Sequence, residues 1–465
     1  ADDSDAAGGK TYYVDAGYEG TTTSDGSEKA PFTTIAEALA KTDVSKIVLM
    51  SDLVFGNANT EANGNAISTS IDGLEIDLNG NVIKFTSKDI SPNYYAIYNT
   101  GKLTVSDSSK DSTGGITVTG YPIGVFGNEG TLDITGGTFK NVASGDEKKV
   151  YYLMNNIGTV TISGDAKFLM DKDMETVNSS IIKNGWSEPE ATEKKDAPND
   201  LVLFSTITDE KKKTATVNIE KGTFEGKTYV KNDEHGVMTI SGGDFKVVKA
   251  ESNKFSSDGK FYDLKGNVVF NYGKLTVTGG TFDNTASIFG GAAFYVAVGS
   301  ETTIDGGVYK LASNYEGNNK LPAPLVRFIG ASAADETVID IDAGVAGAIG
   351  THPAVRAVLD TSTNAVGNID ITVGSASVKG VMANIADSNC PVFTYTDGKL
   401  VIDKLSAGTG NSYVSGNVKI ESLVVADDST VVLGSGSEAI LADSSKADKI
   451  VSAGGVLKDQ KGNTI

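Results

Sequence analysis

The stretch Asn128-Glu-Gly-Thr-Leu-Asp-Ile-Thr-Gly-Gly-Thr-Phe139 returns almost unchanged as Asn271-Tyr-Gly-Lys-Leu-Thr-Val-Thr-Gly-Gly-Thr-Phe282. Shorter copies are Asn99-Thr-Gly-Lys-Leu-Thr-Val105, Asn156-Ile-Gly-Thr-Val-Thr-Ile-Ser-Gly164, Gly236-Val-Met-Thr-Ile-Ser-Gly-Gly-Asp-Phe245 and Thr303-Ile-Asp-Gly-Gly-Val-Tyr309. Leu-x-Val alternation marks a short strand with one buried face. Gly-Gly supplies a tight bend, by positive φ or by close backbone approach. The phenylalanine that follows re-enters the core on the next strand. Asn99, Asn128, Asn156 and Asn271 each stand two residues before a glycine. Asparagine suits that turn and can stack side chain over side chain when repeats are in register.

Spacing decides what the repeat builds. Ile76, Val105, Ile134 and Ile162 recur at intervals of 29, 29 and 28 residues, and Ile219, Ile240, Val277 and Ile304 at 21, 37 and 27. A unit repeated every 20–50 residues marks a solenoid, propeller or array. Three strands of four or five residues per repeat, with no helix between them, make one coil of a parallel β-helix. The uneven intervals predict loops of different length projecting from some coils. The fold expected is therefore all-β, a right-handed parallel β-helix with a short N-terminal capping helix and loop insertions.

The ends and the interruptions are read the same way. Residues 1–10 form a polar tail. In Pro31-Phe-Thr-Thr-Ile-Ala-Glu-Ala-Leu-Ala40, Thr34 and Glu37 make a capping box and Ile35, Ala38 and Leu39 an apolar face. This helix is expected to cover the first coil, whose edge is otherwise open. The β-helix spans 11–395. Residues 169–213, with Trp186, Glu188-Pro-Glu190 and Lys211-Lys-Lys213, break the pattern and read as one long charged loop. Short strands resume over 396–465 as last coils or a small β-rich end domain.

The Tyr12-Tyr-Val-Asp15 start, the Pro31–Leu39 segment and the coil Ile76-Asp-Leu-Asn-Gly80 resemble the N-terminal part of pectate-lyase-like right-handed β-helix proteins. The Gly-Gly-Thr-Phe coils resemble those of large bacterial surface proteins. This resemblance implies the fold. It leaves function open, because the fold hosts lyases, hydrolases, adhesins and phage fibres. Pectate-lyase chemistry needs an arginine base beside calcium-binding aspartates, yet the only arginines, Arg327 and Arg356, lie outside acidic strands. Polygalacturonase chemistry needs aspartates grouped on adjacent coils, and only Asp2-Asp3 and Asp427-Asp428 approach that pattern. No catalytic residue is assigned, and the expectation is a protein that is not an enzyme.

Charge and single residues narrow the rest. A net charge of −20 carries no basic stripe for phosphate neutralisation, which argues against nucleic acid. No apolar run approaches the ~20 residues of a membrane span. The single cysteine, Cys390, forbids an internal disulfide and reads as a small buried hydrophobe. The start at Ala1 without Met reads as a mature N-terminus after signal-peptide cleavage, or as a trimmed chain. The expected location is secreted and cell-surface associated, in a bacterium.

Ligand candidates are Trp186, Tyr94 and Tyr95, whose rings can stack on sugars; the alternative is that Trp186 packs the base of its own loop. Asp133, Asp165, Asp244 and Asp305 lie in or beside repeat turns, where stacked coils can bring two carboxylates to one Ca²⁺; the alternative is that aspartate simply suits turns. His235, in Asp233-Glu-His235, reads as an exposed turn residue or a fragment of a metal or acid–base site. Three functions follow. The first is a structural surface protein that assembles with itself into a filament or coat. The second is an adhesin that binds cell-surface or host glycans. The third is a pectate-lyase-like polysaccharide-degrading enzyme.

Overall fold

The computed structural model describes residues 8–56, 64–87, 95–120, 124–142, 152–171, 180–187, 212–226, 230–248, 266–286, 291–313, 322–330, 334–359, 367–383 and 391–465. They divide into two compact units, Ala1–Asp244 and Phe245–Ile465.

The first unit is a β-solenoid with three strand faces per coil. On the isoleucine face, Lys10–Val14, Val44–Leu49, Asp72–Asp77, Lys102–Ser106, Thr131–Ile134, Thr159–Ile162, Ala215–Ile219 and Gly236–Ile240 pair in parallel, each with the next. Ile47, Ile76, Val105, Ile134, Ile162, Ile219 and Ile240 are register partners in one inward column, and every one of them is fully buried. On the phenylalanine face, Leu53, Ile83, Ile116, Phe139, Phe168 and Phe224 form a second column. Phe168 lies 5.1 Å from both Phe139 and Phe224, ring centre to ring centre. Each coil thus buries its apolar set against the coils above and below, and neighbour contacts carry the stability.

The third face carries the asparagines. Tyr95–Asn99, Gly124–Asn128, Tyr152–Asn156, Ser180–Asn184 and Val230–Asn232 align so that Asn99, Asn128, Asn156, Asn184 and Asn232 are successive register partners. Each Nδ2 donates to the next Oδ1 at 2.8 Å, from Asn99 through to Asn232. Asn99 and Asn156 also accept from the N–H two residues on, at 3.1 and 3.0 Å. The Nδ2 groups of Asn99, Asn128 and Asn156 reach carbonyls of the next coil at Thr131, Thr159 and Thr216. Stacked amides therefore satisfy one another and the corner backbone where no water reaches. A side chain at Gly130 would run into the Gly101 carbonyl, and one at Gly158 into that of Gly130, so the corner needs glycine there. Gly137, second of its Gly-Gly pair, takes φ +104°.

Two expectations change. The stretch 169–213 is not one loop: Ser180–Asn184 is a full coil strand, and Asn184 sits in the ladder. It escapes the motif because Gly185 follows directly, where the other copies have Asn-x-Gly. The remaining parts, 172–179 and 188–211, lie outside the described residues, as do Tyr94 and Cys390. At the N-terminus, Lys10 already belongs to the strand Lys10–Val14. The helix Ile35–Leu39 forms with Thr34 as N-cap: Glu37 N–H donates to Thr34 Oγ1, and Thr34 N–H donates back to the Glu37 carboxylate at 3.0 Å.

The second unit begins in the same three-faced style. Val269–Asn271, Phe294–Val296, Val326–Gly330 and Val355–Leu359 pair in parallel on its asparagine face. Lys274–Val277, Glu301–Ile304, Glu336–Ile341 and Gly367–Val373 do so on its isoleucine face. Asn271 Nδ2 donates to Thr302 Oγ1 at 2.9 Å. The parallel order then stops. Gly367–Val373 and Ala376–Met382 form an antiparallel hairpin, and so do Val392–Thr396 and Lys399–Ile402. Beyond them the coils shorten and have two faces. Leu400, Val418, Glu438 and Val456 lie on one run of parallel strands, and Gly410–Ser415, Ser429–Gly434 and Ile450–Ala453 make the other.

Asn128→Ala breaks the ladder bonds to Asn99 and Asn156 and removes the donor that serves the Gly130 and Thr159 carbonyls. Each lost buried bond costs on the order of 1 kcal/mol, and more where a group is left without a partner. The variant is expected to melt several degrees lower than the chain with Thr131→Ala, whose side chain points outward. Circular dichroism melts of both variants check this.

Candidate functional site

Inward positions are committed to packing, so chemistry falls to the outward columns. On the asparagine face of the first unit, Tyr98, Gly127, Asn155, Lys183 and Lys231 are outward register partners, one per coil. Tyr98 donates its hydroxyl to Glu129. Asn155 Nδ2 donates to the Tyr95 hydroxyl at 3.0 Å, and both residues are fully buried.

A charged group forms where this column meets the turn after Asn232. Asp233 lies 3.2 Å from Lys231 Nζ and 3.7 Å from Lys183 Nζ. Lys183 and Asp233 are both about 3 % exposed. Lys183 also donates to the Gly185 carbonyl at 3.3 Å. Burial pushes the Asp233 carboxyl up, but the two ammonium groups and the Glu234 N–H outweigh it and hold its pKa below the usual aspartate range. Beside it, Trp186 stacks on His235 at 3.8 Å with an interplanar angle of 17°. Its Nε1 donates to the Lys213 carbonyl at 3.1 Å. The indole is 3 % exposed, and one face is taken by the imidazole.

The ligand candidates are therefore placed inside packing: Trp186 under His235, and Tyr95 at full burial against Asn155. The four aspartates are not gathered. Asp133 points outward between Thr104 and Thr161. Asp165 pairs with Lys221 at 2.7 Å. Asp244 is exposed at the start of its strand. Asp305 is exposed near other carboxylates: partial burial, then Asp305, Asp370 and Asp342, hold Asp340 above the ordinary aspartate pKa. Lys379 neutralises part of this group through Asp370 and Glu336, each at 3.1 Å. Among the described residues, no three His, Cys, Asp or Glu side chains converge as a metal site.

The second unit continues its asparagine face with a different outward set. Phe270, Tyr295, Arg327 and Arg356 are successive register partners. Phe270 and Tyr295 stack at 4.2 Å and 23°. The arginines are half-buried, while Val326, Phe328, Val355 and Ala357 beside them in the strands are fully buried on the inside. Reading each arginine alone misses this. The signal lies in their separation of 29 residues, the coil interval of the isoleucine column.

No protein-family model matches the chain, and neither a curated protein nor a solved structure matches it. What stands is the all-β architecture of long parallel strand stacks. No helix among the described residues is long and apolar enough to cross a membrane.

Asp233→Asn removes the carboxylate that Lys183 and Lys231 share, and breaking a buried ion pair costs about 3–5 kcal/mol. Because the folded-state pKa of Asp233 is depressed, its contribution is present above the unfolded value of roughly 3.9 and is lost as pH falls through the folded value. Melting temperatures of the wild type and Asp233→Asn are expected to differ most above the unfolded aspartate pKa and to converge as pH falls through the depressed folded value.

Proposed function

We propose that this chain is a structural solenoid of a bacterial cell surface, secreted, wound right-handed, and associating with further copies of itself. Right-handed winding follows from the strong preference of parallel crossovers. The helix Ile35–Leu39 closes the first coil in this reading. The surface setting rests on the resemblance of the Gly-Gly-Thr-Phe coils to bacterial surface proteins.

One observation carries self-association. On the short coils of the second unit, Tyr413, Val432 and Val451 are register partners across three parallel strands. Their strand neighbours Val414, Val431 and Leu433 fill the core, so these three point to solvent. Tyr413 and Val451 are each 49 % exposed. An apolar ridge on the open face of a sheet is a contact surface in search of a partner. A second copy offers the same ridge, and two-fold pairing of identical patches is the commonest way proteins associate. Val424 and Val456 are exposed as well and add apolar surface.

Light scattering after size exclusion, over a range of concentrations and with or without Ca²⁺, tests this. Dimers or larger assemblies are expected, and Tyr413→Lys with Val451→Lys should return them to monomer. A wild-type chain that stays monomeric at high concentration overturns the proposal. Assemblies that survive the double substitution would place the contact elsewhere.

A further inference from the structure

We infer that Asn184-Gly185 is a site of spontaneous deamidation that the folded coil holds shut, and that conversion there prevents an opened coil from closing again. Asn-Gly occurs at Asn63, Asn79 and Asn184, and the third of these is a ladder asparagine. The other ladder members are followed by a bulkier residue: Thr100, Glu129, Ile157 and Asp233. Asparagine is thermolabile because the next backbone nitrogen can attack its side-chain carbonyl carbon, and glycine presents that nitrogen with no side chain in the way. The attacking N–H gives up its proton, the bond from Cγ to Nδ2 breaks, and ammonia leaves a five-membered imide. Water then opens the ring at either carbonyl, giving aspartate or its β-linked isomer.

The backbone explains why a glycine stands there. Gly185 has φ +90°, and a Cβ on it would lie 2.8 Å from the Gly236 nitrogen. Left-handed backbone and close approach both demand glycine. After Asn99, Asn128 and Asn156 one residue separates the asparagine from the corner glycine. At Asn184 that spacer is missing, so the demand for glycine falls on the position that activates the amide. Hydrogen bonds hold the reaction off. Gly185 N–H, the nucleophile, donates to the Asn156 carbonyl at 2.9 Å. Asn184 Oδ1 accepts from Asn156 Nδ2 at 2.8 Å, and Asn184 Nδ2 donates to Asn232 Oδ1 at 2.8 Å and to the Val237 carbonyl at 3.0 Å. The side chain is fully buried, which also keeps water from it. Attack requires the amide to swing onto its own backbone, and these bonds have to break first.

Conversion is not neutral for the ladder. A carboxylate at position 184 still accepts from Asn156 but has no donor for Asn232 Oδ1 or for the Ala215 and Val237 carbonyls. It sets a negative charge against those three oxygens, and burying a charge without compensation is strongly unfavourable. The β-linked isomer also adds an atom to the main chain, which displaces the register of everything after it. A coil opened for long is thereby turned into one that cannot redock. This goes beyond the structural role, because the solenoid carries a chemical record of its own opening.

Peptide mass mapping of the full chain, aged at mildly alkaline pH in buffer and in guanidinium chloride, tests the inference. In guanidinium Asn184 should convert to the acid while Asn156, followed by Ile157, keeps its amide. In buffer Asn184 should convert roughly a hundredfold more slowly, a ratio set by how rarely the coil opens. After dilution from guanidinium, the refolded fraction isolated by size exclusion should retain the amide at 184 and be depleted of converted chains. Asn184→Asp should show the same refolding defect without ageing. Equal rates in buffer and guanidinium, conversion of Asn156 as fast as Asn184, no conversion of Asn184 in guanidinium, or converted chains that refold with the wild-type melt would each overturn the inference. None of these results bears on self-association, which is read by light scattering.

Discussion

The amide ladder from Asn99 to Asn232 sets the geometry on which the first unit depends. A coil corner turns the backbone away from its neighbours, and its N–H and C=O groups must still find partners where water is excluded. An asparagine side chain has a donor and an acceptor in one plane. Stacked at coil spacing, each amide bonds the next while serving its own corner. The arrangement works only if successive coils are in exact register. A slip of one residue would turn the amide outward and bury the wrong side chain. The ladder is therefore a register device as much as a source of stability.

With register held, the inward columns become regular and the outward ones free to vary. Isoleucine over isoleucine and phenylalanine over phenylalanine follow from volume, since a coil sandwiched between two others tolerates little change in size. The outward positions answer to solvent and partners instead. One column carries threonine and asparagine around Asp133, another a buried Lys–Asp–Lys group, a third two arginines beyond an aromatic stack, and a fourth an apolar ridge. A single backbone design thus presents several chemically distinct surfaces, which is how solenoids acquire functions without changing fold.

Much of this was readable along the chain. The column Ile76, Val105, Ile134, Ile162 and the stacking of Asn99, Asn128 and Asn156 follow from a constant interval and period-two alternation. The capping box of Thr34 and Glu37 is a local pattern, and it forms as read. Asn184 keeps the interval of 28 from Asn156 but lacks the spacer before its glycine, and the charged residues around it disguised a strand as a loop. Asn232 is displaced by the long insertion before it. The hairpin Gly367–Met382 turns at Gly374-Ser375, with Gly374 at φ +60°. A glycine–serine pair between alternating strands is a hairpin signal, and here it ends the three-faced parallel coils.

What the sequence determined by itself is the coil: its strand alternation, its glycine corners and the side chains that point inward. These are local properties, set by period, turn chemistry and burial within one repeat. What only the tertiary structure decided is which outward residues become neighbours. Trp186 meets His235, Lys183 meets Asp233, and Arg327 meets Arg356 because of how much chain each loop consumes before the next strand docks. Loop length leaves no local signature in composition, so residues far apart in the chain acquire a shared chemistry only when the coils stack.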